Sequence, residues 1–558
     1  MNRRNFLHLS GAALGGLLFT NQLYGNNFDV KLVQLPEKVF ATLDDGVHEL
    51  LANGSGLWAY KDVWVKLSFV KDALKIEVNA SKLALSNVIL VWQYATQQQT
   101  KVMGDHWERT YGDLQFQKPS FRVRMPWYFI QYDDKETTCF GVKTGCATIC
   151  SWQVGEGNMQ LTLDTRNGGS GVVLGDRTLQ AAEIIATQSK GSENTFATAS
   201  RFCKMMCEHP LLPKNPVYGI NDWYITYGIN SAEIILNHTA RMAELATDTN
   251  NKPFSVIDSG WAAYSPLFPN DCCWQDDFSK PNDHFKDMKL VADQIRGLGM
   301  RPGLWTRPLC ASYKDNKNLI LPAIPGRTSP TKQVLDPGIE ENLARVKFNI
   351  KTYDEWGFDL VKHDFTTYDM LGKWGFNMKE DITSPGWHFN DRTKTTAELI
   401  LNLYKAIRES AGSMYLLGCN TISHLSAGLF EINRIGDDTS SREWSRTRKM
   451  GVNTLGFRTI QHNHFYSADG DCVGLSKAIS WTNNKQWMQL LAESGTPLFI
   501  SAPEEVTGTE QKAFIKQCFA TAAKKLPTAE PIDWLSNEFP TQWKLNGKRV
   551  TFNWDEVK

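Results

Sequence analysis

The sequence predicts an α/β protein: a (β/α)8 TIM barrel preceded by an N-terminal β-sandwich domain and followed by a short C-terminal tail. Three observations carry this. Residues 27–212 hold short alternating apolar runs parted by Gly, Asp and Asn turns, the rhythm of a sandwich. From Val217 onward, apolar strand-like runs alternate with amphipathic helical stretches, as in βαβ units around a parallel sheet. The chain has 558 residues, too many for one core, while a single barrel takes up roughly 250.

The first 25 residues read as an export signal. Arg3 and Arg4 precede Phe6-Leu7 and the run LSGAALGGLLF, which is too short for a stable bilayer span. The pattern fits a twin-arginine or general secretory signal and predicts a periplasmic or extracellular protein, with no membrane contact after signal removal. Residues 27–212 follow as the β-domain, with runs such as VWVKLSFV, ALKIEVNA, NVILVWQY and SFRVRMPWYFIQY; LLPKNP is the linker. The barrel is assigned to 213–505. Its eight strand candidates are 217–224, 254–261, 300–308, 358–365, 414–421, 430–438, 456–463 and 495–502. Residues 506–558 form a tail with one helix and short strands.

Composition narrows the function. Lys+Arg and Asp+Glu are equal at 60 each, which offers no reason for nucleic-acid or anionic-membrane binding. Nineteen tryptophans suit sugar recognition, because an indole face matches the C–H face of a sugar ring; large barrels also bury many aromatics. The eleven cysteines are scattered apart from Cys272-Cys273, with no C-x-x-C pair and no assignable pairing. No His-x-His or other ligand cluster ends a strand, which argues against a metal-dependent hydrolase.

In such barrels reactive groups gather at the C-terminal ends of strands. Those ends supply Asp222 and Trp223; Asp258, Ser259 and Trp261; Trp305 and Arg307; Lys362, His363 and Asp364; Cys419 and Asn420; and Arg434, Asp437 and Asp438. Alternation along the strand turns His363 away from Lys362 and Asp364. Asp469 and Asp471 are read as loop-ordering residues, with calcium the lesser alternative. Carboxylates from strands 4 and 6 facing each other across a barrel mouth are the pair that glycoside hydrolysis needs.

Several segments also resemble glycoside hydrolase clan D, the melibiase-type α-galactosidases and α-N-acetylgalactosaminidases. DLVKHDF resembles the K-x-D nucleophile motif, FSVIDSGW the I-D-D-G-W element, and GINDWY the G-W-x-x-W motif. HFKDMKLVADQIRGLGMRPGLW and ESGTPLFIS are similar to the family's strand 2–3 stretch and last strand, so the matches run in order over about 217–502. The resemblance implies a retaining exo-acting mechanism on an oligosaccharide or polysaccharide, with neither metal nor cofactor, and with Asp364 as nucleophile and Asp437 as acid/base, Asp438 competing. It implies sugar contacts from Asp258, Lys362, Trp223, Trp305, Trp261, Cys419 and Arg434. Ser259 departs from the family: its second carboxylate is missing. That leaves α-galactoside, β-L-arabinopyranoside and α-N-acetylgalactosaminide open. The N-terminal arrangement resembles the bacterial melibiase branch, which implies a pocket loop at 104–114 with Trp107 and Asp113 as contacts. Two other classes stay in play: a Schiff-base aldolase through Lys362, which needs a depressed lysine pKa, and a non-catalytic glycan-binding protein. Oligomeric state is not legible.

Overall fold

The computed structural model describes residues 33–247, 250–264, 275–327 and 333–557. The export segment read at 1–25, the first residues of the β-domain and the Cys272-Cys273 pair lie outside them.

Alternating burial along strands such as Lys38–Leu43 and Val63–Val70 follows directly from their alternating sequences. Thirteen strands between Lys38 and Gln188 join in one antiparallel sheet, where the sequence suggested a sandwich. The sheet is doubled over. Trp152, on Ile149–Val154 near one end of the strand order, lies 5.7 Å from Phe129 and 6.3 Å from Phe140, both near the other end. Burying one tryptophan removes roughly 150–250 Å² from water, worth at most ~4–6 kcal/mol at about 25 cal/mol per Å². The run SFRVRMPWYFIQY is not one strand: Trp127 takes a left-handed φ of 66° and splits Met125–Pro126 from Tyr128–Tyr132. The helix Thr195–Met206, capped by Asn194, closes this domain.

The second sheet is parallel: β1 (Tyr218–Asn221), β2 (Phe254–Ile257), β3 (Arg301–Thr306), β4 (Leu360–His363), β5 (Tyr415–Gly418), β6 (Ile432–Arg434), β7 (Ser467–Asp469), β8 (Cys472–Gly474) and β9 (Leu498–Ser501). Nearly every residue in them is buried, as expected for strands covered on both faces. The strand order is β7-β6-β5-β4-β3-β2-β1-β9-β8. The edge strands β7 and β8 are consecutive in the chain, separated only by Gly470 and Asp471. A two-residue link spans about 10 Å at most, so the two edges of the sheet are tied together.

Helices α1 (Ala232–Ala243), α2 (Met288–Gly297), α3 (Glu340–Glu355), α4 (Thr396–Ser410), α5 (Trp481–Glu493) and α6 (Thr509–Ala522) intervene or follow. A capping box of Thr395 and Glu398 starts α4. The sequence placed α6 in the tail, yet its Phe519 meets Tyr218 of β1 at 5.4 Å, so it covers the sheet. The remaining tail is a three-stranded sheet, Glu530–Pro531, Gln542–Leu545 and Lys548–Thr551. No helix among the described residues is long and apolar enough to cross a membrane.

One strand was misplaced. Of the predicted strand 456–463, residues 456–461 are helical, the end of a run comprising Trp444–Thr447, a π-helical segment Arg448–Asn453, Thr454–Arg458 and Thr459–Gln461, and 462–463 turn out of it. Every residue of 456–462 is buried, so apolarity on all sides imitated a central strand; the real strand begins at Ser467.

The two sheets are fastened by the loop 105–114 of the N-terminal domain. The Thr110 N–H donates to the Ile435 carbonyl and the Asp437 N–H to the Thr110 carbonyl, both at 2.9 Å, adding a parallel bridge beyond the end of β6. Gly112, at φ 70°, lies so close to Lys449 that a Cβ would sit 2.6 Å from its backbone. Fully buried Arg458 holds Asp105 at 2.7 Å and donates to the Glu108 and Ile435 carbonyls at 2.6 and 3.0 Å. Replacing Arg458 with Met strands the Asp105 carboxylate, so unfolding free energy should fall by about 3–5 kcal/mol, read from urea denaturation.

Candidate active site

A cavity of about 290 Å³ opens at the C-terminal ends of the parallel strands. Its walls include Asp258, Ser259, Trp223, Trp305, Lys362, Asp364, Arg434, Asp437 and Asp438, nine of the residues singled out in the sequence. Five more were not: Arg109, Tyr111, Phe365, Trp374 and Phe376.

Asp364 follows β4 directly. Phe365 takes φ 65°, a left-handed conformation strained for a bulky residue. This turn lets the Phe365 N–H donate to Asp364 Oδ1 at 2.7 Å, while Trp305 Nε1 donates to Oδ2 at 3.3 Å. Burial pushes the Asp364 carboxyl up, but the charges of Arg109 and Lys362 and the Phe365 N–H outweigh it and hold the group below the ordinary carboxylate range.

Beside it, Lys362 Nζ holds Asp258 Oδ2 at 2.7 Å. Asn221 donates to the same oxygen at 2.8 Å, and the Ser259 N–H to Oδ1 at 2.9 Å. Burial would depress the Lys362 ammonium, yet the Asp258 charge raises it well above its usual value. That is the reverse of what a Schiff-base lysine needs. Behind Asp258, Asp222 accepts from the Asp258 N–H at 2.7 Å, from Thr226 at 2.8 Å and from Asn230 at 3.0 Å. Burial and then the Asp258 charge lift Asp222 to about 6.

Across the cavity stand Asp437 and Asp438. Asp437 meets Arg109 through Oδ1 and Arg446 through Oδ2, each at 2.8 Å. The arginine contacts of Asp438 both fall on Oδ1: Arg434 at 3.1 Å and Arg109 at 3.6 Å. Its side chain remains 41% exposed, against 14% for Asp437. Burial first, and the neighbouring Asp437 charge with it, raise the Asp438 carboxyl against Arg109 and Arg434. Arg434 also holds Asp469 at 3.2 Å and Asp471 at 2.6 Å. These two therefore serve as counter-ions of Arg434. Among the described residues no group of three or more His, Cys, Asp or Glu is arranged to hold a metal ion.

Some expected contacts fall elsewhere. Trp261 is fully buried among Phe278, Tyr353 and Trp356, and its Nε1 donates to the Trp305 carbonyl at 2.7 Å; it supports the wall without facing the cavity. Cys419 lies beneath the floor, 4.0 Å from Arg109 Nη1. His363 is buried against Phe430, facing away as alternation required. Arg307 is paired with buried Asp369. The loop 104–114 does reach the cavity, but through Arg109 and Tyr111. Trp107 packs on Trp127 at 5.8 Å, and exposed Asp113 pairs with His106 at 2.9 Å. The nine cysteines among the described residues are free.

No family profile matches the chain. A curated "probable alpha-galactosidase" of Dictyostelium discoideum is 28% identical over 155 residues, 28% of this chain and 32% of that protein; the match thus spans about a third of that relative's length. Among solved structures, the α-galactosidase TtGalA of Thermus thermophilus with p-nitrophenyl α-D-galactopyranoside superposes with a TM-score of 0.58 at 16% identity, covering 92% of this chain and 99% of that one. A variant of the GH36 α-galactosidase AgaA of Geobacillus stearothermophilus with raffinose gives 0.58 at 12% identity, covering 92% and 79%. At these identities the likeness establishes a shared fold.

If Trp261 only buttresses the wall, Trp261→Phe should cost about 1–3 kcal/mol of stability in thermal unfolding, from the lost buried hydrogen bond. Sugar affinity by isothermal titration should hardly change.

Proposed function

We propose that the protein is a retaining exo-glycoside hydrolase removing terminal α-galactoside-like sugars, with Asp364 as nucleophile and Asp438 as acid/base. The parallel sheet is read as a (β/α)8 barrel in which Ser467–Gly474 is one broken seventh strand. The observation that carries the reading is one cavity lined by a carboxylate held below its ordinary range and, from another strand end, a carboxylate held above it. Environments that push two carboxyls apart divide nucleophile from acid.

In the first step an Asp364 oxygen bonds to the anomeric carbon. The glycosidic C–O bond breaks, and the leaving oxygen takes the Asp438 proton. In the second, water attacks the same carbon and gives a proton to Asp438 as the Asp364–carbon bond breaks; two inversions retain configuration. Asp438 is preferred over Asp437, the residue favoured by sequence, because each Asp437 oxygen is already in an arginine ion pair. Trp305, Trp223, Asp258 and Lys362 all line the cavity, and they are read as contacts for the ring and its hydroxyls. The expectation of export to the periplasm or exterior fits a polymer-degrading role. The α-galactosidase names of the Dictyostelium, Thermus and Geobacillus proteins support the sugar class.

Ser259 specifically favours a second substrate reading. It lines the cavity where the family places a second carboxylate, so a ring lacking O6, such as a β-L-arabinopyranoside, loses less here than a hexose does. α-N-Acetylgalactosaminide is the remaining option.

A p-nitrophenyl glycoside panel with NMR of the product anomer tests this. We expect turnover of an α-galactoside or β-L-arabinopyranoside with retained configuration. Asp364→Ala should lose on the order of 10⁴ in kcat and be rescued by azide; an inverted product or a folded, unrescued variant would overturn the assignment. Ser259→Asp should shift preference toward the O6-bearing sugar, read as a ratio of kcat/KM values.

A further inference from the structure

Resting on the hydrolytic reading above, we propose that Arg109, carried by the N-terminal β-domain, is a positioning residue that fixes Asp437 and Asp438 opposite Asp364, so that the parallel sheet is catalytically incomplete without the loop 105–114.

Arg109 is the cation that reaches the groups on three strand ends at once. Its Nη2 meets Asp437 Oδ1 at 2.8 Å, and its Nη1 lies 3.6 Å from Asp438 Oδ1 and 4.0 Å from Cys419 Sγ after β5. Its charge also acts on Asp364 after β4. The guanidinium is buried, 5.2 Å from the Trp374 ring centroid, so little solvent screens it. The bridge from Thr110 to Ile435 and Asp437 sets its backbone, making the carboxylates and the arginine parts of one hydrogen-bonded ladder. Glu108, next to it, is pinned by Tyr111, the Gly375 N–H at 2.8 Å and Asn420, which locks the loop to the opposite wall. A cation fixed this way costs no reorganisation as charge moves between the carboxylates.

The surroundings define the pH behaviour. Asp438 faces Arg109, Asp437, Arg434, Asp471 and Tyr224, with Arg446 nearby. Asp364 faces Arg109, Lys362, Cys419, Asp369 and His363. Arg109 is the leading attractive charge on Asp364 and, with the closer Arg434, one of two cations paired with Asp438. Removing it lets both rise: Asp364, which must be ionised, moves the acid limb of kcat/KM to higher pH, and Asp438, which must be protonated, moves the basic limb the same way.

The test compares full-length wild type, Arg109→Met and Arg109→Lys on the best p-nitrophenyl glycoside from pH 4 to 9, with thermal midpoints recorded. We expect Arg109→Met to lose on the order of 10²–10³ in kcat, with both limbs displaced upward. Arg109→Lys should bring the limbs back toward wild type and recover part of kcat. Unmoved limbs in Arg109→Met, or in Arg109→Lys a loss equal to that of Met, would make the residue merely structural. Should Arg109→Met fail to fold, Asp437→Asn supplies the second arm: it removes a charge that raises Asp438, so the basic limb must fall, and an unmoved limb sinks the proposal. Wild-type turnover with unmoved variant limbs removes only the role of Arg109; no wild-type turnover of any glycoside removes the hydrolytic reading and this one together.

Discussion

Charge compensation governs this molecule. Six carboxylates, Asp258, Asp364, Asp437, Asp438, Asp469 and Asp471, crowd the C-terminal end of one parallel sheet, and burying an uncompensated one costs several kcal/mol. Lys362, Arg109, Arg434 and Arg446 answer them. Arg434 alone serves Asp438, Asp469 and Asp471. Because Arg109 and Arg434 each bridge several carboxylates, Asp438 cannot move without disturbing a neighbour's partner. The site is therefore set before any sugar arrives, which is what electrostatic preorganisation requires.

The same requirement explains the two-domain construction. The short parallel strands supply Lys362 and Arg434 from their own ends, and the helix Trp444–Thr447 supplies Arg446 to Asp437 Oδ2. The N-terminal sheet sends in Arg109 on a loop that is itself hydrogen-bonded past β6. Arg458, pairing with Asp105 and with carbonyls on both sides of that junction, makes domain packing and site geometry a single problem.

Legibility followed the kind of physical signal involved. The fourth strand was readable because DLVKHDF couples an apolar buried run to a polar end, and Lys362, His363 and Asp364 then alternate as a strand must. The seventh was not. Ser467–Asp469 and Cys472–Gly474 are three residues each, with Asp469 spent on Arg434, while the helical GFRTIQ is buried throughout and looked more strand-like. The loop 104–114 was found but misassigned by one or two positions: Trp107 turns into the core and Arg109 into the cavity. Its signal was the cluster of Glu108, Arg109 and Tyr111, which for Arg109 only partners 310–330 residues away make meaningful. Trp261 shows the converse limit, since an aromatic at a strand end can line the cavity or, one alternation later, hold its wall.

Lys362 joins the two halves of the site. It is bound to Asp258, which lines the cavity and is the proposed contact for sugar hydroxyls, and its charge helps hold Asp364 low. On the hydrolytic reading, a sugar hydroxyl donating to Asp258 would draw charge from that oxygen and leave more of the ammonium's field for Asp364. The second carboxylate, Asp222, lies one layer behind and is raised to about 6 by burial and by Asp258, so it adds little negative charge against this arrangement at acidic pH. With Ser259 in the place of a further carboxylate, Asp258 is the lone anion in that wall of the cavity. In that reading the Lys362–Asp258 ion pair links the sugar-recognising edge to the nucleophile, while Arg109 supplies the larger attractive charge on Asp364.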